Sequence, residues 1–399
     1  MNKKLFFVAV ALSVLTMVGC SDNQDPYHDT TKLWPAYSSS NKSWGYIDKS
    51  GQFAIQPMYD WVSGFSCGYA LVRMGSQYTF IDTKGHTQSS PTIDDDTEFY
   101  YNYAVVESNG SYGLLNTKFT FTIQPYLYEA SENIGDNGLL AAKMSSGDKW
   151  GYMNTSGEQI IQPMYDGADP FKDGGAVVYL NNKCAVIDKK NQYLIPFSDD
   201  ELYNVGDGII LCWSQDGEKC SIKDLKGNVV VQPIYAEFGE PVDNKLIPAY
   251  DKNEKCGYID YQGNVKIPFN YDAVDPFFEG YAFVKQSDAL LCIDTKGQVV
   301  FRVNAPKDGS VWAETGFHNG LARIAMRENG KWWATYQYVN TQGRVVYQYD
   351  DPYASYYSSE PAHSTNATLS LRDKCHIVIE NTLHFRSDRI STPLKSIAK

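Results

Sequence analysis

The side chains best suited to chemistry in this chain are carboxyl and amide groups that recur at a nearly regular spacing. Each ends a short apolar stretch, as in Tyr46-Ile47-Asp48, and a glycine usually follows three residues later. Carboxylates in such numbers could act as general acids or bases. Successive positions are 34, 34, 38, 34, 36, 36, 34 and 46 residues apart, and the series is Asp48, Asp82, Asn116, Asn154, Asp188, Asp224, Asp260, Asp294 and Asn340.

The local pattern around these residues is typical of a tight turn. Asp or Asn at the first position of a type I turn accepts a hydrogen bond from the backbone two residues on, and glycine at the fourth adopts the left-handed conformation. Asn191 replaces the glycine in one copy and tolerates that conformation well, while Phe119 replaces it in another. We therefore predict a structural role for the series, with positive φ at Gly51, Gly157 and Gly263.

A second motif follows six of the turns by eight or nine residues and contains proline, which cannot donate to a strand ladder. We therefore expect it to mark a strand end or a sheet edge. A tyrosine usually follows within three residues. The copies are Ile55-Gln56-Pro57, Ile123-Gln124-Pro125, Ile161-Gln162-Pro163, Ile195-Pro196, Val231-Gln232-Pro233 and Ile267-Pro268.

A third motif alternates small or apolar residues with a period of two, which is typical of a half-buried strand. Its copies are Phe65-Gly68-Ala70-Val72, Phe171-Gly174-Ala176-Val178, Phe277-Gly280-Ala282-Val284 and Phe317-Gly320-Ala322-Ile324. One unit is therefore predicted to be a strand, a tight turn, a strand, a Pro-Tyr corner that could form a fourth strand, a strand and a loop.

These motifs resemble the WG-repeat family of bacterial proteins, which is named for a Trp-Gly pair before the first strand. The pair is present at Trp44-Gly45 and Trp150-Gly151, and it is altered at Tyr112-Gly113 and Cys256-Gly257. The resemblance covers roughly residues 34–350 and implies an architecture without one assigned activity. The first, fourth and seventh repeats lie 106 residues apart, as if a block of three repeats were used three times.

The fold class predicted from these repeats is all-β, an array of about nine antiparallel β repeats of 34–38 residues. Four short strands per unit favour a β-propeller-like arrangement, and the alternative is an open β-hairpin solenoid. A closed propeller requires the first repeat, Trp44–Val72, to contact the last, Phe317–Val346.

The N-terminus resembles the signal of bacterial lipoproteins. A basic start precedes an uncharged run from Leu5 to Val18, which is too short to span a bilayer but suits a secretory signal. The run leads into a lipobox-like sequence before Cys20, with Met17 at the position where leucine is usual. The resemblance implies cleavage after residue 19 and acylation of Cys20, for example by palmitate, which anchors the chain. The alternative is an ordinary cleaved signal.

The residues after Cys20 are polar and acidic, as in Bacteroidetes lipoproteins sent to the outer face of the outer membrane. This resemblance implies a lipid-anchored, cell-surface location in the outer membrane, with the periplasmic face as the alternative. The expected organisation is a signal peptide at 1–19, an acylated N-terminus and linker at 20–40, the repeat domain at 41–350, and a Tyr-rich C-terminal segment with a closing strand at 351–399.

Three cysteines occupy a column that is aromatic in most repeats, four residues before the turn position: Cys184, Cys220 and Cys256. Free cysteine packs as a small hydrophobe, so we expect these thiols to be buried and unpaired. With Cys20 acylated, seven cysteines remain, and one disulfide or a reactive thiol is the alternative. No close cysteine pair suggests a metal site.

Other candidate sites have structural interpretations. Asp94-Asp95-Asp96 lacks the ligand pattern of a calcium loop and is predicted to be a loop. The tyrosines at 347, 349, 353, 356 and 357 could form a ligand platform or pack on the last repeat. His376-Ile377-Val378-Ile379 is predicted to be a further strand that covers a sheet edge. No cofactor or metal is expected.

The net charge of −12 disfavours nucleic acid as a partner, since phosphate backbones repel an acidic protein. The sequence leaves three functions open. The favoured one is a non-catalytic binding or scaffold lipoprotein whose partners are the membrane, through its lipid, and a protein or glycan. The second is a cell-wall or glycan-binding protein, and the third is a hydrolase with residues drawn from several repeats, since a fold does not exclude activity.

Overall fold

The computed structural model describes residues 30–352 except 94–96, 215–219, 240, 242–244 and 332. Within these residues every regular element is a β-strand, and the strands form nine separate sheets. We number the sheets as blades 1 to 9 along the chain. In every blade, strands that are neighbours in the sequence are neighbours in the sheet.

The first three blades have three strands each in the described part of the chain. Blade 1 contains β1 (Trp34–Ser38), β2 (Ser43–Ile47) and β3 (Phe53–Tyr59); blade 2 contains β4 (Trp61–Val62), β5 (Tyr69–Met74) and β6 (Gln77–Asp82); blade 3 contains β7 (Tyr103–Ser108), β8 (Ser111–Asn116) and β9 (Phe121–Leu127).

The other six blades have four strands each. Blade 4 contains β10 (Glu129–Ala130), β11 (Leu139–Lys143), β12 (Trp150–Asn154) and β13 (Gln159–Tyr165); blade 5 contains β14 (Gly167–Ala168), β15 (Ala176–Leu180), β16 (Lys183–Ile187) and β17 (Tyr193–Ser198); blade 6 contains β18 (Glu201–Gly206), β19 (Ile209–Trp213), β20 (Cys220–Asp224) and β21 (Val229–Tyr235). Blade 7 contains β22 (Glu237–Phe238), β23 (Ile247–Tyr250), β24 (Cys256–Ile259) and β25 (Val265–Tyr271); blade 8 contains β26 (Ala273–Val274), β27 (Tyr281–Gln286), β28 (Ala289–Asp294) and β29 (Val299–Asn304); blade 9 contains β30 (Ser310–Ala313), β31 (Leu321–Arg327), β32 (Thr335–Asn340) and β33 (Val345–Asp350).

The recurring Asp and Asn residues form the predicted turns. In blade 1 the carbonyl of Asp48 accepts a hydrogen bond from the Gly51 amide at 3.0 Å, and its side chain accepts from the Ser50 amide at 2.8 Å. The φ angles are 84° at Gly51, 84° at Gly157 and 83° at Gly263, as predicted. Each turn therefore joins two strands of one blade by local hydrogen bonds.

The same turns connect each blade to the one before it. A Cβ added to Gly297 of blade 8 would lie 3.2 Å from Ile267 of blade 7, and one added to Gly263 would lie 3.2 Å from Val231 of blade 6. At Gly51 of blade 1 the nearest atom is the carbonyl oxygen of Val346, in blade 9. Blade 1 therefore packs against blade 9 in the same way that blades 7 and 8 pack against the blades before them. The sheets form a ring, a nine-bladed β-propeller.

The ring closes through side chains, and among the described residues the first and last sheets exchange no strand. The Trp34 indole donates to the carbonyl of His318 at 3.0 Å, the Tyr338 hydroxyl to that of Pro35 at 2.6 Å, and the Tyr347 hydroxyl to that of Tyr37 at 2.9 Å. Trp44 and Tyr349 pack edge to face, with ring centroids 5.7 Å apart. The closed propeller is therefore confirmed, and the open solenoid is wrong.

The proline motif corrects the expected unit. Pro57 lies inside β3, an edge strand of its sheet, so the motif marks an edge and not a strand end. The additional strand is the short β4, which begins two residues after Tyr59 and pairs with β5 in the next blade. One sequence repeat therefore spans the end of one blade and the start of the next.

The glycine of the Trp-Gly pair is required for steric reasons. A Cβ at Gly151 would lie 2.6 Å from the carbonyl oxygen of Ile161 and 2.9 Å from the nitrogen of Pro163. The same approach recurs at Gly45, Gly113 and Gly257. Because the proline strand crosses so close, where the ladder register also shifts, no side chain fits at this position.

The block of three repeats is also visible between blades. In the first block, the Tyr46 hydroxyl donates to the carbonyl of Ser63 in the next blade at 2.9 Å, and its ring lies 4.8 Å from that of Phe65. The fourth and seventh repeats reproduce both contacts, with identical ring separations of 4.8 Å: Tyr152 with Asp169 and Phe171, and Tyr258 with Asp275 and Phe277. These buried tyrosines hold three equivalent blade interfaces together.

Candidate functional site

Several residues singled out in the sequence lie outside the described residues. They include Cys20, the signal peptide, Asp94–Asp96, the tyrosines at 353, 356 and 357, and the segment His376–Ile379. Of the Tyr-rich stretch, Tyr347 and Tyr349 are described. Both pack at the junction with blade 1, and Tyr349 is 4 % exposed, so these two stabilise the ring.

The turn carboxylates accept hydrogen bonds from nearby backbone amides. Asp48 Oδ1 accepts from the Ser50 hydroxyl at 2.6 Å and from the backbone amides of Ser50 and Gln52. The Ser50 hydroxyl and these amides hold the pKa of Asp48 below its usual value. A general base needs a pKa closer to neutrality, which supports the structural interpretation of the series.

The cysteines of the aromatic column are free and buried, as predicted. Burial raises the pKa of the Cys184 thiol, and it raises that of Cys256 to about 12. Cys212 and Cys292 are also free and buried. Because the thiolate is the reactive form, these thiols are poor nucleophiles at neutral pH.

Two aspartates depart from the turn pattern. Asp169 and Asp275 sit two residues before Phe171 and Phe277, where the first block has Ser63. Burial raises the pKa of Asp169 to about 6, although the Tyr179 hydroxyl donates to it at 3.2 Å, and burial raises the pKa of Asp275 to about 7. Such values are typical of functional carboxylates but also of structural ones, and the two residues lie in different blades.

Arg323 is a polar residue in an otherwise apolar column, at the position that Phe283 occupies in blade 8. Its guanidinium lies 3.5 Å from the Glu314 carboxylate, 3.3 Å from the Tyr349 hydroxyl and 5.5 Å from the centre of the Tyr336 ring. These contacts join the strands of blade 9 beside the ring junction. We interpret the group as a structural cluster.

The most distinctive surface lies on the edge strands of blades 3 to 5. Tyr126, Ile160, Met164 and Tyr193 are 46 %, 43 %, 40 % and 50 % exposed, and we call them the aromatic patch. A Cβ at Gly157 would lie 3.3 Å from the Tyr126 hydroxyl, which links blades 3 and 4.

The aromatic patch continues from blade 4 to blade 5. The Asn191 amide lies 3.3 Å from Met164 Sδ, and the ring of Tyr193 packs on Phe197 at 5.4 Å. Exposed amides of Gln124 and Gln162 flank it. Contiguous exposed apolar groups with a polar rim are typical of binding sites.

Other features of the described residues give weaker support for a functional site. No group of three or more His, Cys, Asp or Glu side chains there is arranged to hold a metal ion, and no helix in that part is long and apolar enough to cross a membrane. A shallow groove between blades 7 and 8 is lined by Lys245, Leu246, Asp260, Lys266 and Thr295, and Lys266 is paired with Asp260 at 2.9 Å.

Sequence reasoning missed the aromatic patch and the two half-buried aspartates, Asp169 and Asp275. The 106-residue spacing relates Ser63, Asp169 and Asp275 and could have identified that column. The aromatic patch had a weaker signal, because its members occupy the exposed alternate positions of the proline strands. Only the edge position of those strands shows that these side chains face solvent.

The fold and its repeats thus define the class, a nine-bladed β-propeller built from short repeats. Three segments match the WG containing repeat, at residues 44–78, 150–184 and 257–288. The chain therefore carries WG-containing repeats at these three positions, which are the first, fourth and seventh repeats. No curated protein sequence matches the chain.

Several solved structures are similar to this chain at low sequence identity. The crystal structure of a eukaryotic initiation factor is similar with a TM-score of 0.58 and 13% identity, over 80% of this chain and 96% of that chain. The dihydro-heme d1 dehydrogenase NirN, in complex with DHE, has a TM-score of 0.44 and 12% identity over 81% and 74% of the two chains. Hsv2p of Kluyveromyces lactis has a TM-score of 0.36 and 9% identity, over 64% of this chain and 96% of that chain. The first similarity supports the fold, and the other two carry no argument.

Proposed function

We propose that this protein is a membrane-anchored, non-catalytic binding or scaffold lipoprotein that captures its ligand through the aromatic patch. The single observation that carries this proposal is the exposure of four large apolar side chains across three adjacent blades. A rigid ring presents them without the cost of ordering a flexible loop. The carboxylates of the turns and the buried thiols are used for structure.

A capture experiment tests the binding role. The mature chain and a Tyr126→Ala/Tyr193→Ala variant are each used to capture ligands from envelope extracts, and the retained species are compared. We expect the double variant to lose the specific ligand while keeping its fold. Ile234→Ala is the matched control, because Ile234 follows the proline of blade 6 and is 72% exposed outside the aromatic patch. Equal loss with the control, or no loss with the double variant, would contradict the proposal.

A second candidate, binding of cell-wall or other glycans, is favoured by the composition of the aromatic patch. Tyr126 and Tyr193 offer flat apolar faces with polar tips, and the neighbouring amides of Gln124 and Gln162 can bond to hydroxyl groups. A glycan array and a peptidoglycan pull-down with the same two proteins test this candidate. Binding to a glycan that the double variant loses would support it, whereas capture of protein alone would favour a scaffold.

The anchor is a separate part of the proposal and rests on the lipobox-like sequence. Cys20→Ser is expected to leave the chain unacylated and to release it from the membrane fraction. Fractionation after a high-salt wash measures this, and surface proteolysis of intact cells distinguishes the outer face from the periplasmic face. A serine variant that still fractionates with membranes would show that the lipid does not anchor the chain.

A further inference from the structure

The hairpin turns that begin with Asp or Asn lie together on one face of the ring. In blade 2, Tyr69 at the start of β5 pairs with Asp82 at the end of β6, so the turn before β5 and the turn after β6 share one end of the blade. The registers of the other blades give the same arrangement. Neighbouring blades meet at this end, where the Asn319 amide of blade 9 donates to Glu279 of blade 8 at 2.6 Å. We call this end of the ring the turn face.

The turn face carries exposed lysines from six of the nine blades. They occupy the second or third position of the hairpin turns, whereas the Asp or Asn at the first position is half-buried. In the described part of the chain none of them forms an ion pair. Their charge is therefore available to a partner outside the ring. We call them the turn lysines: Lys49, Lys84, Lys118, Lys189, Lys190, Lys226 and Lys296.

The opposite face has a different balance of charge. Lys183 lies in the turn between β15 and β16, at the other end of blade 5, and pairs with Asp199 at 3.0 Å. The equivalent Lys255 of blade 7 pairs with Asp272 at 2.6 Å. Exposed carboxylates also lie in the turns of this face: Asp148, Glu254 and Asp288. An anionic surface would therefore be repelled by this face and attracted to the turn lysines.

The turn face also has carboxylates, but they bond to the neighbouring blade. Glu279 accepts from the backbone amides of Asn319 and Gly320 at 2.6 and 2.8 Å, and Asp207 accepts from the Tyr261 hydroxyl at 2.8 Å. These acceptors serve contacts between blades. The turn lysines are the charged groups of this face that have no such contact within the described residues.

The chain enters the ring on the turn face. Trp34, the first residue of β1, pairs with Ile47, which directly precedes the hairpin turn of blade 1. Before β1, the Thr31 carbonyl accepts from the side-chain amide of Asn319 at 2.7 Å. Thr31 follows Cys20 by 11 residues, a length of chain that extends to at most about 40 Å. A lipid on Cys20 would therefore hold the turn face next to the membrane.

We propose that the turn face docks on the anionic lipid headgroups of the membrane that holds the anchor. This inference rests on the proposed function, because the tether is the acylated N-terminus. The turn lysines are distributed around a ring, which suits a flat surface better than a small ligand. Each lysine near an anionic membrane adds a small attraction, and the sum is screened by salt. The opposite face then points away from the membrane, and the edge strands that carry the aromatic patch stay accessible.

Lysine footprinting of the full acylated protein tests the docking. The protein is inserted into vesicles of phosphatidylcholine or of an equal mixture with phosphatidylglycerol, treated briefly with an acetylating reagent and analysed by mass spectrometry. We expect acetylation of the turn lysines to fall about threefold or more in the anionic vesicles and to recover in high salt. Acetylation of Lys252, which is exposed on the opposite face, should not change.

The same experiment separates the docking from the anchor. Protein that stays on both kinds of vesicle with equally acetylated turn lysines would overturn the docking and leave the anchor intact. Protein that leaves the phosphatidylcholine vesicles would overturn the anchor and the docking together, since the tether would then be missing.

A charge variant gives an independent readout. Lys84→Gln/Lys190→Gln/Lys296→Gln removes three exposed charges from blades 2, 5 and 8. We expect the remaining turn lysines, such as Lys49 and Lys226, to lose their protection on the anionic vesicles. Protection that persists in this variant would contradict an electrostatic contact through the turn face.

The matched control removes the same charge from the opposite face. Lys252, Lys285 and Lys307 are exposed there and form no ion pair in the described chain. Lys252→Gln/Lys285→Gln/Lys307→Gln should keep the turn lysines protected. If this variant loses protection to the same extent, net charge and not the turn face determines binding, and the proposal is wrong.

Discussion

At the scale of single residues, the turn residue Asp48 and the interface residues Asp169 and Asp275 have pKa values that shift in opposite directions. Asp48 bonds to the Ser50 hydroxyl and to backbone amides, which lowers its pKa. Asp169 and Asp275 are half-buried at blade interfaces, and the loss of solvation there raises the pKa to about 6 and about 7. The same residue type therefore stabilises the fold in one setting and opposes it at neutral pH in the other.

Replacing Asp275 by asparagine should stabilise the protein at pH 8 and have little effect at pH 4. Between about pH 4 and pH 7 the folded state keeps a proton that the unfolded state has lost, so the aspartate's contribution becomes less favourable as the pH rises through this range. We expect Asp275→Asn to increase the free energy of unfolding at pH 8 by on the order of 1–3 kcal/mol, measured by urea denaturation.

Asp272→Asn is the control for this prediction. Asp272 bonds to Lys255 at 2.6 Å, and that contact holds its pKa below the usual value. Its replacement should therefore destabilise at pH 8, the opposite sign. If the difference between Asp275→Asn and the unmodified protein is the same at both pH values, the carboxyl group does not carry a raised pKa.

At the scale of the elements, the hairpin turn is both a local structure and a contact between blades. Gly157 has a φ of 84°, a conformation that β-branched residues avoid, and a Cβ there would meet the Tyr126 hydroxyl of the previous blade at 3.3 Å. The turn sequence therefore supports hairpin formation and the approach of the next sheet together.

Gly157→Val is expected to lower the free energy of unfolding by roughly 1–3 kcal/mol, because valine is strained at this backbone conformation. Thermal or urea denaturation of the purified chain measures the change. Gly64→Val is the matched control, since Gly64 has no positive φ and open space around its Cβ. Equal stability of the two variants would show that the turn conformation is not the cause.

At the scale of the whole molecule, stability depends on the junction between blades 9 and 1. In the described part of the chain this junction lacks a shared strand, and it relies on indole and hydroxyl donors that reach backbone carbonyls 284 to 310 residues away. It resembles the internal interfaces, where Tyr152 and Tyr258 make the same kind of bond. The ring is therefore held together by similar contacts around its circumference.

Tyr338→Phe should lower the free energy of unfolding by about 1 kcal/mol, the usual net contribution of one hydrogen bond. Tyr258→Phe, at an internal interface, should have a similar effect, and Tyr128→Phe, which is 49% exposed, should have almost none. Chemical denaturation of the three variants compares them. A neutral Tyr338→Phe beside a destabilising Tyr258→Phe would indicate that the junction is open in solution.

Much of this structure was predictable from the chain alone, because its information is local. Period-two alternation determines strands, and Asp or Asn with glycine three residues later determines the hairpin turns, so the all-β class, the nine repeats and the positive φ values follow from consecutive residues. The burial of Cys184, Cys220 and Cys256 followed from their place in an aromatic column.

Tertiary structure decided the rest, because the remaining information lies between distant residues. Similar repeats can stack as an open array or close into a ring, and the outcome depends on the angle accumulated over nine sheets and on contacts such as Gly51 with Val346. The packing between sheets also decides three other features. They are the offset between repeat and blade, the raised pKa of Asp275 and the exposure of the aromatic patch. Each depends on which sheet packs against which, and a single repeat does not contain that information.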